Sequence, residues 1–127
     1  MNDCLITLPW PSSKLSPNVR LHWAALAAAK KAYRRECCFA TLEQRAYGAG
    51  ELIRNTDALH LEVTFYRPQN RNFDRDNLLA RMKSGIDGLC DAFEIDDKRF
   101  VSVTVRVADE IVKDGKVVLK IQQETHG

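Results

Sequence analysis

The chain is short of the features that would place it outside ordinary globular proteins. No apolar run approaches the ~20 residues that a membrane-spanning helix needs, and nothing before Cys4 has the pattern of a signal peptide, so a soluble cytoplasmic protein is expected. The four cysteines, Cys4, Cys37, Cys38 and Cys90, have no Cys-x-x-Cys spacing, which argues against a zinc site and leaves them as reduced packing residues. With only six glycines and four prolines, no low-complexity segment, linker or repeat interrupts the chain. A length of 127 residues then sets the expectation of one domain, spanning 1–127, with a single core.

Net charge is also small, +2, but it is unevenly distributed. Residues 1–35 hold Lys14, Arg20, Lys30, Lys31, Arg34 and Arg35 against Asp3 alone, a net +5 that leaves −3 for the remainder. A second basic group, Arg67, Arg71, Arg75, Arg81 and Lys83, surrounds an acidic pair, Asp74 and Asp76. Negative charge set inside positive surroundings suits a metal site that receives a polyanion. The plainer account of the basic residues up to Arg35 is the solvated face of a helix.

The acidic pair opens the most informative stretch of the chain. Leu78, Leu79, Met82, Ile86, Leu89, Cys90 and Phe93 keep the rhythm of an amphipathic helix. Asp76, Ala80, Lys83, Asp87 and Asp91 recur at steps of three and four, lining a stripe turned away from the core. Asp74 lies just before the helix, within reach of any ion held by Asp76. The Glu94-Ile95-Asp96-Asp97 loop can bring a further carboxylate if the following strand lies beside the site. Oxygen ligands without nearby Cys or His select Mg²⁺ or Mn²⁺, and a lysine beside such a site suits phosphodiester hydrolysis. Leu79 and Gly85 stand where a calcium loop needs its glycine and terminal glutamate, which excludes that motif. The competing structural reading makes Asp74 a helix cap, Lys83 and Asp87 a surface pair, and Asp96-Asp97 a turn.

Around this stretch the periodicity predicts strand 5–8, stopped by Pro9-Trp10-Pro11. A polar loop follows, whose Lys14, with Arg20 and His22, can reach phosphate. A long helix runs from Leu21 to about Ala46, burying Leu26, Tyr33, Cys37 and Ala40 and ended by Gly48 and Gly50. Trp23 and Tyr33 could stack on bases, but aromatics at helical spacing are expected in the core. Alternation gives strands at 59–66 and 101–107, and Asp114-Gly115 reads as a hairpin turn into a return strand through Val117, Leu119 and Ile121. The expected fold is α+β, in the order β-α-β-α-β-β, with one mixed sheet covered by two helices.

Taken together, Ile6-Thr7-Leu8-Pro9-Trp10-Pro11-Ser12, Asp74-x-Asp76-Asn77-Leu78, Lys83 four before Asp87, and Asp96-Asp97 before the last strands resemble the RusA-type Holliday-junction resolvases of bacteria and their prophages. The resemblance covers most of the chain in the right order. It implies a homodimeric, Mg²⁺- or Mn²⁺-dependent endodeoxyribonuclease that nicks four-way DNA junctions symmetrically in recombination and repair. By position, the metal acids of the family carry over to Asp74, Asp76 and Asp97, and its catalytic lysine to Lys83. In the best-known member that lysine follows the second motif aspartate by four residues, where this chain has Ala80; here it follows by seven, on the same helical face. Asp96 rivals Asp97 as the third ligand.

The expected roles follow. Asp74, Asp76 and Asp97 hold metal, Lys83 stabilises charge on the phosphate, and Asp87 and Asp96 orient their neighbours. Lys14, Arg20, Lys30, Arg34, Arg71 and Arg75 contact DNA. The alternative is a RusA-like protein that binds branched DNA without cutting it.

Overall fold

The computed structural model describes residues 3–44, 53 and 58–124. Its strands and helices run β1 (Cys4–Pro9), α1 (Trp23–Gln44), β2 (Leu59–Tyr66), α2 (Arg75–Phe93), β3 (Phe100–Val107) and β4 (Lys116–Gln123), with 3-10 turns at Ser13–Leu15 and Asp97–Arg99. The predicted α+β order is therefore the observed one. Period-two alternation buries Ile6 and Leu8 of β1, Leu61, Val63 and Phe65 of β2, and Val117, Leu119 and Ile121 of β4 on one sheet face. Tyr33 and Cys37 of α1, with Leu78, Met82 and Leu89 of α2, complete that core.

The predicted hairpin is corrected. Strand order is β1-β4-β2-β3, so β4 lies antiparallel between β1 and β2 and makes no ladder with β3. The 114–115 turn does form: both residues have positive φ, and the Gly115 N–H donates to the Val112 carbonyl at 2.8 Å. It redirects the chain past an intervening strand instead of joining neighbours. Strand β3 instead pairs parallel with β2, with α2 as the crossover between them. This crossover runs α2 back along the sheet, so that the turn after α2 and the start of β3 lie beside the helix.

Helices α1 and α2 pack closely because α2 has glycine at the contact. A Cβ added at Gly88 would lie 2.2 Å from the Arg34 carbonyl oxygen of α1. Arg34 then pairs across the seam with Asp91, Nε to Oδ2 at 2.6 Å and Nη2 to Oδ1 at 2.8 Å. The outer edge of β1 is covered by Gln44, whose carboxamide accepts from Thr7 N and donates to Thr7 O, both at 2.7 Å.

Two aromatics that the sequence treats alike part company. Tyr33 is core, and its hydroxyl donates to the Pro9 carbonyl at 2.6 Å. Trp23 is 76% exposed, which overturns its assignment to the core. It stands in the first turn of α1, before the helix reaches the sheet. Ala46, Gly48 and Gly50, the predicted end of helix 1, lie outside the described residues.

Candidate active site

Helix α2 begins because Asp74 caps it: Oδ1 accepts from the N–H groups of Asp76 at 2.8 Å and Asn77 at 3.2 Å. The second oxygen, Oδ2, has no protein partner among the described residues. Asp76 follows in the first turn, where negative charge suits the helix dipole. At the other end Glu94 adopts a left-handed conformation, φ 57°. Its N–H donates to Asp91 O and that of Ile95 to Cys90 O, the paired bonds of a Schellman motif. This reversal turns the chain back beside the helix.

The returning loop lays the Asp97–Arg99 turn against the polar stripe of α2. Asp76, Lys83, Asp87 and Asp97 line one cleft of about 540 Å³. Its apolar wall comes from Leu61, Leu79, Ile86, Phe100 and Val103. Val103 belongs to the core-facing register of β3 but remains 46% exposed, because α2 leaves this part of the edge strand uncovered. The two acids of the loop differ. Asp96 Oδ1 accepts from Lys98 N at 2.9 Å, and that bond, followed by one with Asp97, holds its carboxyl below the usual carboxylate range. Asp97 faces the cleft.

Cys90, buried beneath this end of α2, reads the local field. Burial first, then the carboxylates of Asp97, Asp87, Asp91 and Asp96, push its thiol up to about 12. It therefore stays protonated and is no nucleophile. Asp91, on the predicted polar stripe, is turned to Arg34 and does not line the cleft; the guanidinium holds its carboxyl below the ordinary range.

The donor set of the site is all oxygen, which fits a hard divalent cation. Asp76 and Asp97 share the cleft, whereas Asp74 lines an adjoining recess around the helix N-terminus with Arg71, Asn77 and Arg81. Among the described residues no three Asp, Glu, His or Cys side chains are gathered into a ready coordination sphere. The free Oδ2 of Asp74 keeps it available as a third ligand.

The basic residues are spread around these two cavities. Lys30 lines a smaller recess on the α1 side of Lys83 and Asp87. Arg34 is engaged by Asp91. Lys14, Arg20 and Arg75 are exposed, and Arg71 stacks on Phe73 with its Cζ 4.6 Å from the ring centre. His22 serves a structural end, its Nδ1 accepting from Ala24 N at 3.2 Å at the start of α1. The sequence reading missed Ser16, buried and donating to Asn77 Oδ1 at 3.1 Å, and the burial of Arg81. The signal for Arg81 was its position on the apolar stripe, three after Leu78 and one before Met82.

Among the described residues no helix is long and apolar enough to cross a membrane. No protein-family model matches the chain. A protein of Xylella fastidiosa (strain Temecula1), described as an uncharacterized protein, is 40% identical over 126 residues, covering 96% of this chain and 80% of its own. The chain belongs to the same family as this Xylella fastidiosa protein.

Proposed function

We propose that the protein is a metal-dependent endodeoxyribonuclease of RusA type, acting as a homodimer on four-way DNA junctions. The observation that carries this reading is the cleft itself, where one face of α2 and the turn before β3 bring Asp76, Lys83, Asp87 and Asp97 together. Asp74, Asp76 and Asp97 would hold Mg²⁺ or Mn²⁺. When bound, such an ion polarises the phosphate and lowers the pKa of water for in-line attack. Lys83 takes a non-bridging phosphate oxygen and stabilises the charge that grows as the bond breaks. Asp87, one turn along, orients that ammonium. Two cuts related by symmetry require two related sites, hence the dimer.

A second reading, a protein that binds branched DNA without cutting it, is favoured by one observation. Asp74 is occupied in capping α2 and lies in the neighbouring recess, apart from the other acids.

Cleavage of a labelled synthetic four-way junction separates the two. The nuclease reading expects paired symmetric nicks with Mg²⁺ or Mn²⁺, none with chelator, none in an unbranched duplex and none by Asp76→Asn. Undiminished cleavage by Asp76→Asn would overturn it, and tight binding without nicks in any metal would establish the second reading.

A further inference from the structure

The recess beside the cleft contains a buried cation that forms no ion pair among the described residues. Arg81 is 7% exposed, and its Nη2 donates to the Pro11 carbonyl at 2.6 Å. Its Nε is enclosed without an acceptor, and among the described residues no carboxylate pairs with it. Its Cζ lies 5.8 Å from the Trp10 ring centre, and Trp10 packs edge-on against Phe73, on which Arg71 is stacked. Enclosing an uncompensated guanidinium is costly, and structures normally relieve it with an acid. Here the relief is absent and a second guanidinium is near. Burial and then the charge of Arg71 lower the Arg81 pKa, so the two cations repel each other across the recess.

Both arginines line a polar recess of about 240 Å³, with Ser13, Ser16 and Asn77. The Asn77 carboxamide nitrogen and the Ser13 hydroxyl have no protein partner among the described residues, so their donors remain available. Asp74 also lines the recess, but its Oδ1 is taken by two backbone N–H groups and it makes no ion pair with either arginine among the described residues. Several donors converging from different directions, with two positive charges against the single carboxylate of Asp74, match a tetrahedral polyoxyanion.

We propose that this recess is a phosphate-group site, with Arg81 and Arg71 as its cationic ligands and Asn77 and Ser13 as neutral donors. The site does not depend on the nuclease reading. Only the source of the phosphate does: a DNA backbone phosphate next to the one in the cleft, or the phosphate of a free small molecule.

Inorganic phosphate is the probe, titrated into the full chain in chelator at constant ionic strength with chloride as control. A saturable rise of about 2–4 °C in melting temperature is expected, with a shift of the Arg81 Nε–Hε resonance in the ¹⁵N spectrum. Arg71→Gln, at an exposed position, should remove the saturable part and leave only the general salting effect of phosphate; Arg81→Gln should do the same. If Arg81→Gln does not fold, Arg71→Gln and the resonance shift decide. An unsaturable rise equal in wild type and Arg71→Gln, with an unmoved resonance, would overturn the site. Binding of a labelled four-way junction, also in chelator, identifies the source. Competition by phosphate and a 5–10-fold loss in Arg71→Gln mean a backbone phosphate, while saturation without effect on DNA means a small-molecule phosphate. Cleavage plays no part, so failure of the nuclease reading leaves this result intact.

Discussion

At the scale of single residues, Asp74 is both a helix cap and a candidate metal ligand, and substitutions can separate the two. Asp74→Asn keeps a capping oxygen and should leave stability within about 0.5 kcal/mol, whereas Asp74→Ala should cost about 1 kcal/mol in urea unfolding. Under the nuclease reading both lose metal-dependent cleavage; full activity in Asp74→Asn would make the residue a cap and nothing more. Lys83 is simpler, because it is exposed on the cleft face. Lys83→Ala should lower the cleavage rate by about 10²–10³-fold with an unchanged melting temperature and junction affinity. A parallel fall in affinity would make it a binding residue.

At the scale of elements, α2 positions everything, and its two ends and its seam with α1 can each be tested. Glu94 occupies a left-handed position that glycine takes without strain, so Glu94→Gly should stabilise by about 0.5–1 kcal/mol. Gly88→Ala should destabilise by about 1–3 kcal/mol despite a better helix propensity, because the new Cβ would meet the Arg34 backbone, which cannot turn aside as a side chain can. The midpoint of urea unfolding reads both. The Arg34–Asp91 pair makes the same seam sensitive to pH. The lowered Asp91 pKa means that its contribution is full above the ordinary value of 3.8 and is lost as pH falls through the folded value. Both side chains are about half exposed, so the contribution is small, no more than about 0.5–1 kcal/mol. Arg34→Gln should flatten this part of the acid limb below the ordinary value of 3.8, and an identical limb would assign the acid sensitivity elsewhere.

At the scale of the whole molecule, the charge pattern and the acids predict two linked behaviours. Mg²⁺ or Mn²⁺ at about a hundredfold over its dissociation constant should add about 2.7 kcal/mol to stability, and Asp76→Asn should remove that gain. Calorimetry with and without chelator measures it directly. The fold makes such binding plausible to test because Asp76 and Asp97 come from elements that are adjacent only after β2, α2 and β3 have assembled. A metal effect on melting would therefore report on the crossover as a unit.

Much of this was legible in the chain. Alternation at 59–66 and 101–107, the apolar stripe from Leu78 to Phe93 and the Asp74 cap are local patterns, and local patterns survive folding when the core agrees with them. Those same patterns placed Asp76, Lys83 and Asp87 on one face of α2, since helix geometry fixes that relation before any tertiary contact exists. Three things needed the assembled structure. Sequence adjacency and a turn motif suggested that β4 pairs with β3, but pairing is decided by which edge is free, and β4 fits between β1 and β2. The choice of Asp97 over Asp96 at the cleft depended on which carboxylate the Lys98 N–H would capture. The apolar stripe marks Arg81 as inward-facing, but its partners Trp10 and Pro11 arrive from the far end of the chain, some 70 residues away, and no periodicity within α2 encodes a partner at that distance.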